Sequence, residues 1–421
     1  MIPLVEVQQL VLERCPRLGP VVVALGDALG AVLAEAVIVG EDVPPFANTA
    51  MDGYAVRSAD TTGAPVELSV VGVLAAGSAP DRGVRAGEAL QIMTGAPMPE
   101  GADAVAIVER CEPLPESRVR VLDEVHPGTH IRLPGSDMAR GSVAVPAGTV
   151  LGPAHLGVLS SVGAEHAIVW RRPRVGVMST GDELVPPGKA LLAGQIRDSN
   201  RRALLGVLER DGYEGIDLGI VRDTEADVTA AFEQALSSCD AVLSSGGVSM
   251  GEFDYVKVVL DRLAGGSSTG NGAGGGRGEA HELSVAIRPA KPLALAWLPH
   301  EDRRVVFFGL PGNPVSALVS YQVVALPALR QMAGHPSPLA TPVKAVAGEA
   351  FRRRADGRLN LVRVEARFRS DGRLEVRSAG GQSSHQLSAM AGANALALVP
   401  DGDGYVEGDE VEVLLLETPR A

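Results

Sequence analysis

DAVLSSGGVSMGEFDY, residues 240–255, decides how the chain is read. Ala241, Val242 and Leu243 form the short apolar run that a strand covered on both faces requires. The Ser-Ser-Gly-Gly that follows lets the backbone turn with its N–H groups outward, where they can cradle phosphate oxygens. Glu252 and Asp254 come next. Carboxylates beside a phosphate repel it unless a divalent cation lies between them, so the stretch points to Mg²⁺ as well as to phosphate. Taken alone, it reads equally as a strand-to-loop turn with solvated acids.

On its N-terminal side the pattern alternates strand and helix: RVGVMST from Arg174, SNRRALLGVLERDG, EGIDLGIV, then TEADVTAAFEQALSSC. This succession implies a mostly parallel sheet with crossover helices, and ligands on such sheets bind outside the carboxyl ends of the strands. Three polar clusters fall there: TGDE at 180–183, Arg222-Asp223, and residues 244–254. On the C-terminal side, the Gly/Ser-rich stretch from Ala264, a flexible loop over 264–280, interrupts the pattern. SVAIRPAKPLALAWL and RRVVFFGLPGNP then resume the sheet, and PVSALVSYQVVALPALRQM is its closing helix. Beyond Pro336, short alternating segments such as RLNLVRVEARF and DEVEVLLLE indicate a C-terminal β domain.

Towards the N-terminus, residues 4–39 carry apolar positions at helical spacing, with VEVQQLVLERC and GDALGAVLAEAV as two predicted helices. Pro44-Pro45 stops the pattern, and short strands with Gly and Pro turns continue to about Pro134. A helix-like GPAHLGVLSSVGA follows, so the β-rich module reads as an insertion in a helical domain. The expected fold is multidomain, α+β and α/β. Its parts are a helical linking domain (1–43 plus 136–170), a β-rich inserted domain (44–135), a central α/β domain with a mostly parallel sheet (171–335) and a C-terminal β domain (336–421).

A chain of 421 residues is long enough for several domains. Its net charge of -13 argues against nucleic acid or an anionic membrane as the main partner. Cys15, Cys111 and Cys239 are far apart, with no CxxC, so neither a disulfide scaffold nor a structural zinc site is expected. The acid-bearing N-terminus lacks a signal-peptide pattern, and no apolar run approaches membrane-spanning length; a cytoplasmic protein is expected.

In TGDEL (180–184) the adjacent Asp182 and Glu183 face different ways, so one could serve a cation while the other accepts from a base or pterin amide; Asp182 reads equally as a helix cap. In IRDSN (196–200), Asp198 and Ser199 are open to the same double reading. GLPGNPVSA (309–317) is a stiff turn entering a helix, which suits an anion. RPAKP (288–292) sets Arg288 and Lys291 three residues apart, where they could flank an oxyanion or be an ordinary exposed pair. Asp52, Thr94 and Asp137 lie in Gly-rich loops that composition alone assigns to surface turns.

Eight collinear blocks, PPFANTAMDGYAV, IMTGAPMPEGADAV, RLPGSDMARG, TGDEL, IRDSN, SSGGVSMGEFDY, RPAKP and GLPGNPVSA, closely resemble those of the MoeA family, the molybdopterin molybdenumtransferases, related to the E domain of gephyrin. The resemblance covers nearly the whole chain. It implies a MogA-like central domain and a homodimer in which Asp52 and Thr94 act across the interface. It also implies insertion of molybdate into adenylylated molybdopterin, with Mg²⁺-dependent release of AMP. Asp52, Thr94, Asp137, Glu183, Asp223 and Asp254 then correspond to functional residues, the last three also to metal ligands. Asp182, Asp198, Asn200, Ser245, Gly246, Gly247, Ser249, Pro311, Gly312, Asn313 and Pro314 are implied to hold the pterin substrate. Arg288, Lys291, Arg363 and Ser388 are implied to hold molybdate. Transient contact with other proteins of cofactor synthesis is a further implication.

The chain departs from the family pattern at Ala47, often Asp; at Ser284, often Lys; and at RPAKP, often Lys-Pro-Gly-Lys-Pro. Two other activities stay open on these residues. One is adenylyl transfer to molybdopterin, although MogA-type proteins resemble the α/β unit alone; the other is a non-catalytic molybdopterin-binding scaffold.

Overall fold

The strand Arg174–Thr180 is buried at every position after the first, as the apolar run in RVGVMST requires of a strand covered on both faces. The computed structural model describes residues 1–247, 255–265 and 278–419. Among them, six strands form one sheet in the order Glu214–Val221, Arg174–Thr180, Ala241–Ser245, Arg303–Leu310, Pro292–His300, Glu279–Ser284. The first four are parallel; Pro292–His300 runs antiparallel to them, and Glu279–Ser284 pairs antiparallel with it. Strand order reverses beside Arg174–Thr180, so its carboxyl end is the topological switch point of the sheet.

Both faces are covered. On one, Leu204 and Leu208 of the helix Asn200–Arg210 pack with Val7 and Val11 of Leu4–Arg14 and with Val315, Ala317 and Val319 of Pro314–Ser320. On the other, Val228 and Phe232 of Glu225–Ser238 join Val256, Val259 and Leu260 of Tyr255–Leu263. The expected closing helix forms as Pro314–Ser320, a π turn at Tyr321–Ala325 and Leu326–Met332. At the opposite edge of the sheet, the buried Asp240 carboxylate accepts two hydrogen bonds from Arg171 (both 2.8 Å) and one from the Arg174 N–H (2.9 Å), which fixes the starts of two neighbouring strands.

The C-terminal strands close on themselves. Leu359–Phe368, Leu374–Ser378, Val343–Ala347, Glu410–Leu415 and Ala395–Val399 follow in order, and the last pairs back onto the first. The short strand Ile287–Arg288 runs parallel to Leu359–Phe368 and carries Arg288 opposite Asn360.

The chain divides into two compact units, Met1–Val21 with Gly30–Val32 and Val169–Ala421, and Val22–Leu29 with Leu33–Ile168. The first holds the sheets just described. In the second, six strands run in the order Ala104–Ile107, Gly53–Val56, Glu88–Ile92, Val66–Leu74, Arg118–Val121, Cys111–Leu114. The helix predicted from GPAHLGVLSSVGA is present as Pro153–Ser161. The helix predicted from GDALGAVLAEAV is not: a single 3₁₀ turn at Leu25–Asp27 is followed by irregular chain and the strand Val37–Ile38. Gly30 takes a left-handed φ of 71°, which no helix interior accommodates, and that ends the apolar periodicity as a helical signal.

Candidate active site

The four parallel strands end level with one another, since Val221 pairs with Thr180, Ser179 with Ser245 and Ser245 with Leu310. The loops leaving these ends carry the polar clusters seen in the sequence. After Ser245 the chain turns through Gly246 (φ 96°) and Gly247 (φ 68°), both in a region that β-carbons disfavour. A β-carbon on Gly246 would stand 2.7 Å from the Thr180 carbonyl oxygen, and one on Gly247 would stand 2.4 Å from Val256. Glycine is therefore required twice over, by conformation and by space. The Gly246 N–H donates to the Leu310 carbonyl (3.2 Å), so the outward donors expected of this turn do not include it.

Asn200 opens its helix at the same edge, and its side-chain amide donates to Ser245 Oγ (2.6 Å) and to the Gly312 carbonyl (2.7 Å). It thus ties the loop after one strand to the GLPGNP turn after another. Pro314 follows at the first helical position and Asn313 is the cap residue, although its side chain makes no capping bond. Two helices therefore begin at this strand edge, with their positive dipole ends towards it.

Asp182, Glu183 and Asp223 are exposed on the neighbouring loops. The Asp223 N–H donates to Asp182 Oδ1 (3.3 Å). Although the residue is exposed, partial desolvation of its carboxyl, and then the nearby charges of Asp182 and Glu183, push Asp223 above the usual carboxylate range. The Glu183 carboxylate folds back over Gly181, where a β-carbon would come within 2.5 Å of it. Among the described residues no three His, Cys, Asp or Glu side chains are close enough to hold a metal ion. Asp254, expected to complete the set, and Ser249 lie outside the described residues. The donor set still suits Mg²⁺: hard carboxylate oxygens, crowded enough to disfavour ionisation of Asp223.

Asp198 is placed differently. Its buried carboxylate accepts from Ser179 Oγ (3.0 Å), the Arg201 N–H (3.2 Å) and Arg201 Nε (2.8 Å), and Arg201 also bonds Asp217. It braces the start of the helix, and its lone pairs are largely taken. The sequence signal for this was the Asp–Arg spacing of three in IRDSNR.

Three of the four oxyanion candidates lie on the strand Leu359–Phe368 or on an element that contacts it: Arg363 on the strand, Arg288 paired opposite Asn360, and Ser388 on a helix packed against it. Arg288 is 63 % exposed, with Nη1 3.9 Å from Asp356. Lys291 is exposed, and its carbonyl accepts from the Val285 N–H. Ser388 lies on the helix Leu387–Gly392, which packs on that strand. Arg363 has 0 % exposure; its Nη2 donates to the carbonyls of Gly381 (2.8 Å) and Ser383 (3.3 Å), while among the described residues Nε and Nη1 have no partner. Burial lowers the proton affinity of this guanidinium. The same loop reaches the strand-end turns, because the Val315 N–H at the start of the closing helix donates to the Ser384 carbonyl (3.1 Å). One continuous set of contacts therefore runs from the glycine turn through Gly312 and Val315 to Arg363.

Three sequence-family profiles match in order: "MoeA N-terminal region (domain I and II)" over residues 2–163, "Probable molybdopterin binding domain" over 176–331, and "MoeA C-terminal region (domain IV)" over 344–416. The chain belongs to the MoeA family. By that membership it is a transferase. A Haemophilus influenzae protein named molybdopterin molybdenumtransferase is 36 % identical over 92 % of this chain and 91 % of its own length. A Staphylococcus aureus protein of the same name is 30 % identical over 100 % and 97 %. The crystal structure of a Pyrococcus horikoshii molybdopterin biosynthesis MoeA protein superposes with a TM-score of 0.76, at 30 % identity, over 99 % of this chain and 100 % of that one. No described helix of this MoeA chain is long and apolar enough to cross a membrane.

In the second unit, Thr94 donates both its N–H (2.6 Å) and its hydroxyl (2.7 Å) to Asp52 Oδ1. Those bonds, the N–H first, hold the exposed Asp52 carboxyl below the usual range. Phe46, Met51, Met93 and Leu133 are exposed in the segments flanking this pair. Asp137 is exposed in a turn whose N–H donates to the Val43 carbonyl, and among the described residues no hydrogen bond joins it to Asp52 or Thr94. Sequence reasoning placed Thr180 in a strand-end cluster without a role and did not single out Asn48; among the described residues the buried Oγ1 and Oδ1 of these two have no partner, a state of which neither residue type carries a signal.

Proposed function

We propose that this chain inserts molybdenum into molybdopterin, taking molybdate and adenylylated molybdopterin as substrates and releasing AMP. The observation that carries the proposal is the Arg363 guanidinium, fully buried with two nitrogens open among the described residues, in contact with the loop that bonds the start of the closing helix. A buried cation with unused donors is costly unless an anion completes it. Arg288 and Ser388, on elements beside the same strand, and the exposed Lys291 would supply further donors for an oxyanion. In the adjacent cleft, Gly247, Ser245, Asn200, Gly312 and the two helix N-termini would hold the adenylylated pterin and its phosphates.

Glu183 and Asp223, with Asp254, would hold Mg²⁺, and Asp182 would orient Asp223 through its backbone. The ion, when bound, offsets negative charge on the phosphates. The protein's own part is to keep the phosphate end at the glycine turn and the oxyanion at Arg363, so that the reacting groups meet in one cleft. The homodimer belongs to the same proposal: the exposed apolar residues beside Asp52 and Thr94 suit a face covered by a second copy.

The test is an assay of AMP release from adenylylated molybdopterin. Release is expected only with molybdate and Mg²⁺ together. Release without molybdate, or ATP-dependent adenylylation of molybdopterin, overturns the proposal.

A further inference from the structure

Thr180 closes the strand at the switch point, and its side chain is in an unusual state. The residue is 5 % exposed, yet among the described residues its hydroxyl has no hydrogen-bond partner. Buried hydroxyls are nearly always bonded, because an unmade bond forfeits the full desolvation penalty of the group. Threonine hydroxyls rotate freely about the Cβ–Oγ bond and usually find a backbone carbonyl, as Thr61 finds that of Ser58 (2.7 Å) and Thr229 that of Glu225 (2.7 Å). Thr180 finds none.

The hydroxyl is pressed against the glycine turn. A β-carbon on Gly246 or on Gly247 would stand 3.0 Å from Oγ1 in each case. It is thus walled on one side by the two residues at which only glycine fits. Of the groups in this turn, the Gly246 N–H is already given to the Leu310 carbonyl, and Ser245 Oγ accepts from Asn200. What remains is a donor without an acceptor at a strand edge where two helices begin, and the field of helix N-termini favours an anion there.

We infer that the Thr180 hydroxyl is a binding group of the cleft, donating to a phosphate oxygen of the anionic substrate at the glycine turn. The inference rests on the reading of this cleft as the site of a phosphorylated ligand. It makes Thr180 a residue whose polarity costs stability in the free protein and is used only when ligand is bound.

That trade gives a signature that a structural role cannot imitate. Thr180→Val keeps the shape and removes the hydroxyl, and Thr180→Ser keeps the hydroxyl. Each full-length variant is titrated calorimetrically with AMP and with inorganic pyrophosphate, and its thermal unfolding is followed without ligand. Thr180→Val is expected to bind the probes about ten-fold more weakly while its Tm without ligand stays level or rises by about 2 °C. Thr180→Ser is expected to bind within about three-fold of wild type. If wild type binds and Thr180→Val binds equally well, Thr180 is wrong and the phosphate cleft stands. If Thr180→Val loses Tm and affinity together, the hydroxyl is structural and the inference fails. If wild type binds neither probe, the phosphate reading of the cleft fails and takes the inference with it.

Discussion

Replacing Arg363 by methionine separates two quantities that usually fall together, stability and oxyanion binding. The guanidinium is fully buried and makes two side-chain hydrogen bonds, to the Gly381 and Ser383 carbonyls. Losing them forfeits about 1.5–3 kcal/mol each, since the donor is charged. Against that stands the cost of burying the charge, several kcal/mol even after relaxation. Gly381 and Ser383 are exposed, so water can take over the two carbonyls. The terms nearly cancel, and Arg363→Met is expected to change stability by no more than about 1 kcal/mol. Binding has no such offset. Nε and Nη1 are both open, and two charge-assisted bonds to an anion are worth about 3–6 kcal/mol, or roughly 10²- to 10⁴-fold in affinity. The assay is the KM for molybdate in AMP release, run beside thermal unfolding of the same preparation. Arg363→Lys should recover only part of the loss, because an ammonium cannot reproduce the planar fork. A stable Arg363→Met with unchanged molybdate KM and turnover would refute the assignment.

Asp223 carries a carboxyl raised by burial and by Asp182 and Glu183. A carboxyl whose folded pKa lies above its unfolded one destabilises the fold at pH above the folded pKa, and the penalty disappears as pH falls through it. Asp223→Asn is therefore expected to raise Tm at pH 7 and to leave it unchanged below about pH 3. Mg²⁺ should raise the wild-type Tm more than that of Asp223→Asn, and equal shifts would remove Asp223 from the cation site. Ala290 holds φ 76° inside RPAKP. Left-handed backbone costs a non-glycine residue about 1–2 kcal/mol, while glycine adds about 0.5–1 kcal/mol of unfolded-state entropy, so Ala290→Gly should stabilise by up to about 1 kcal/mol in denaturant titration. A clear loss would mean that the Ala290 methyl is needed for packing. Asp198→Asn should cost about 3 kcal/mol by breaking the buried pair with Arg201, whereas Glu183→Gln should abolish turnover and leave unfolding unchanged; the reverse pattern would exchange their roles.

The strand-end cleft was legible because its parts are local. A buried strand announces itself by an apolar run, and Gly246-Gly247 after Ser245 announces a turn that side chains cannot enter. The alternation of strand and helix then fixed a sheet whose parallel core places those turns at one edge. The direction of Pro292–His300 was not legible, since an antiparallel strand buried on both faces has the same composition as a parallel one. Nor was the failure of GDALGAVLAEAV to form a helix: the apolar spacing was right, and Gly30 at φ 71° broke it.

Which acid serves the fold and which serves the site depends on what each side chain has left to offer, and that is a property of the assembled structure. Asp182, Glu183 and Asp198 fall within one strand-loop-helix passage, and in the sequence each reads as a site residue, Glu183 as a functional acid and Asp182 and Asp198 as groups that hold the pterin or cap a helix. Asp198 accepts three hydrogen bonds, two of them from Arg201, and is buried. Among the described residues the Glu183 carboxylate accepts no hydrogen bond, and Asp182 accepts one, from a backbone N–H. A carboxylate already saturated by the protein gains little from a cation, whereas an exposed pair that raises its neighbour's pKa gains a counter-charge. The same reasoning separates the cations. Arg353 is spent on the Arg358, Val399 and Pro400 carbonyls and on Asp356 and Asp401, while Arg363, equally arginine and more deeply buried, keeps two nitrogens open. Unused bonding capacity in a buried group costs free energy in the absence of ligand, and two of the residues in that state, Thr180 and Arg363, sit at the two ends of one connected set of contacts.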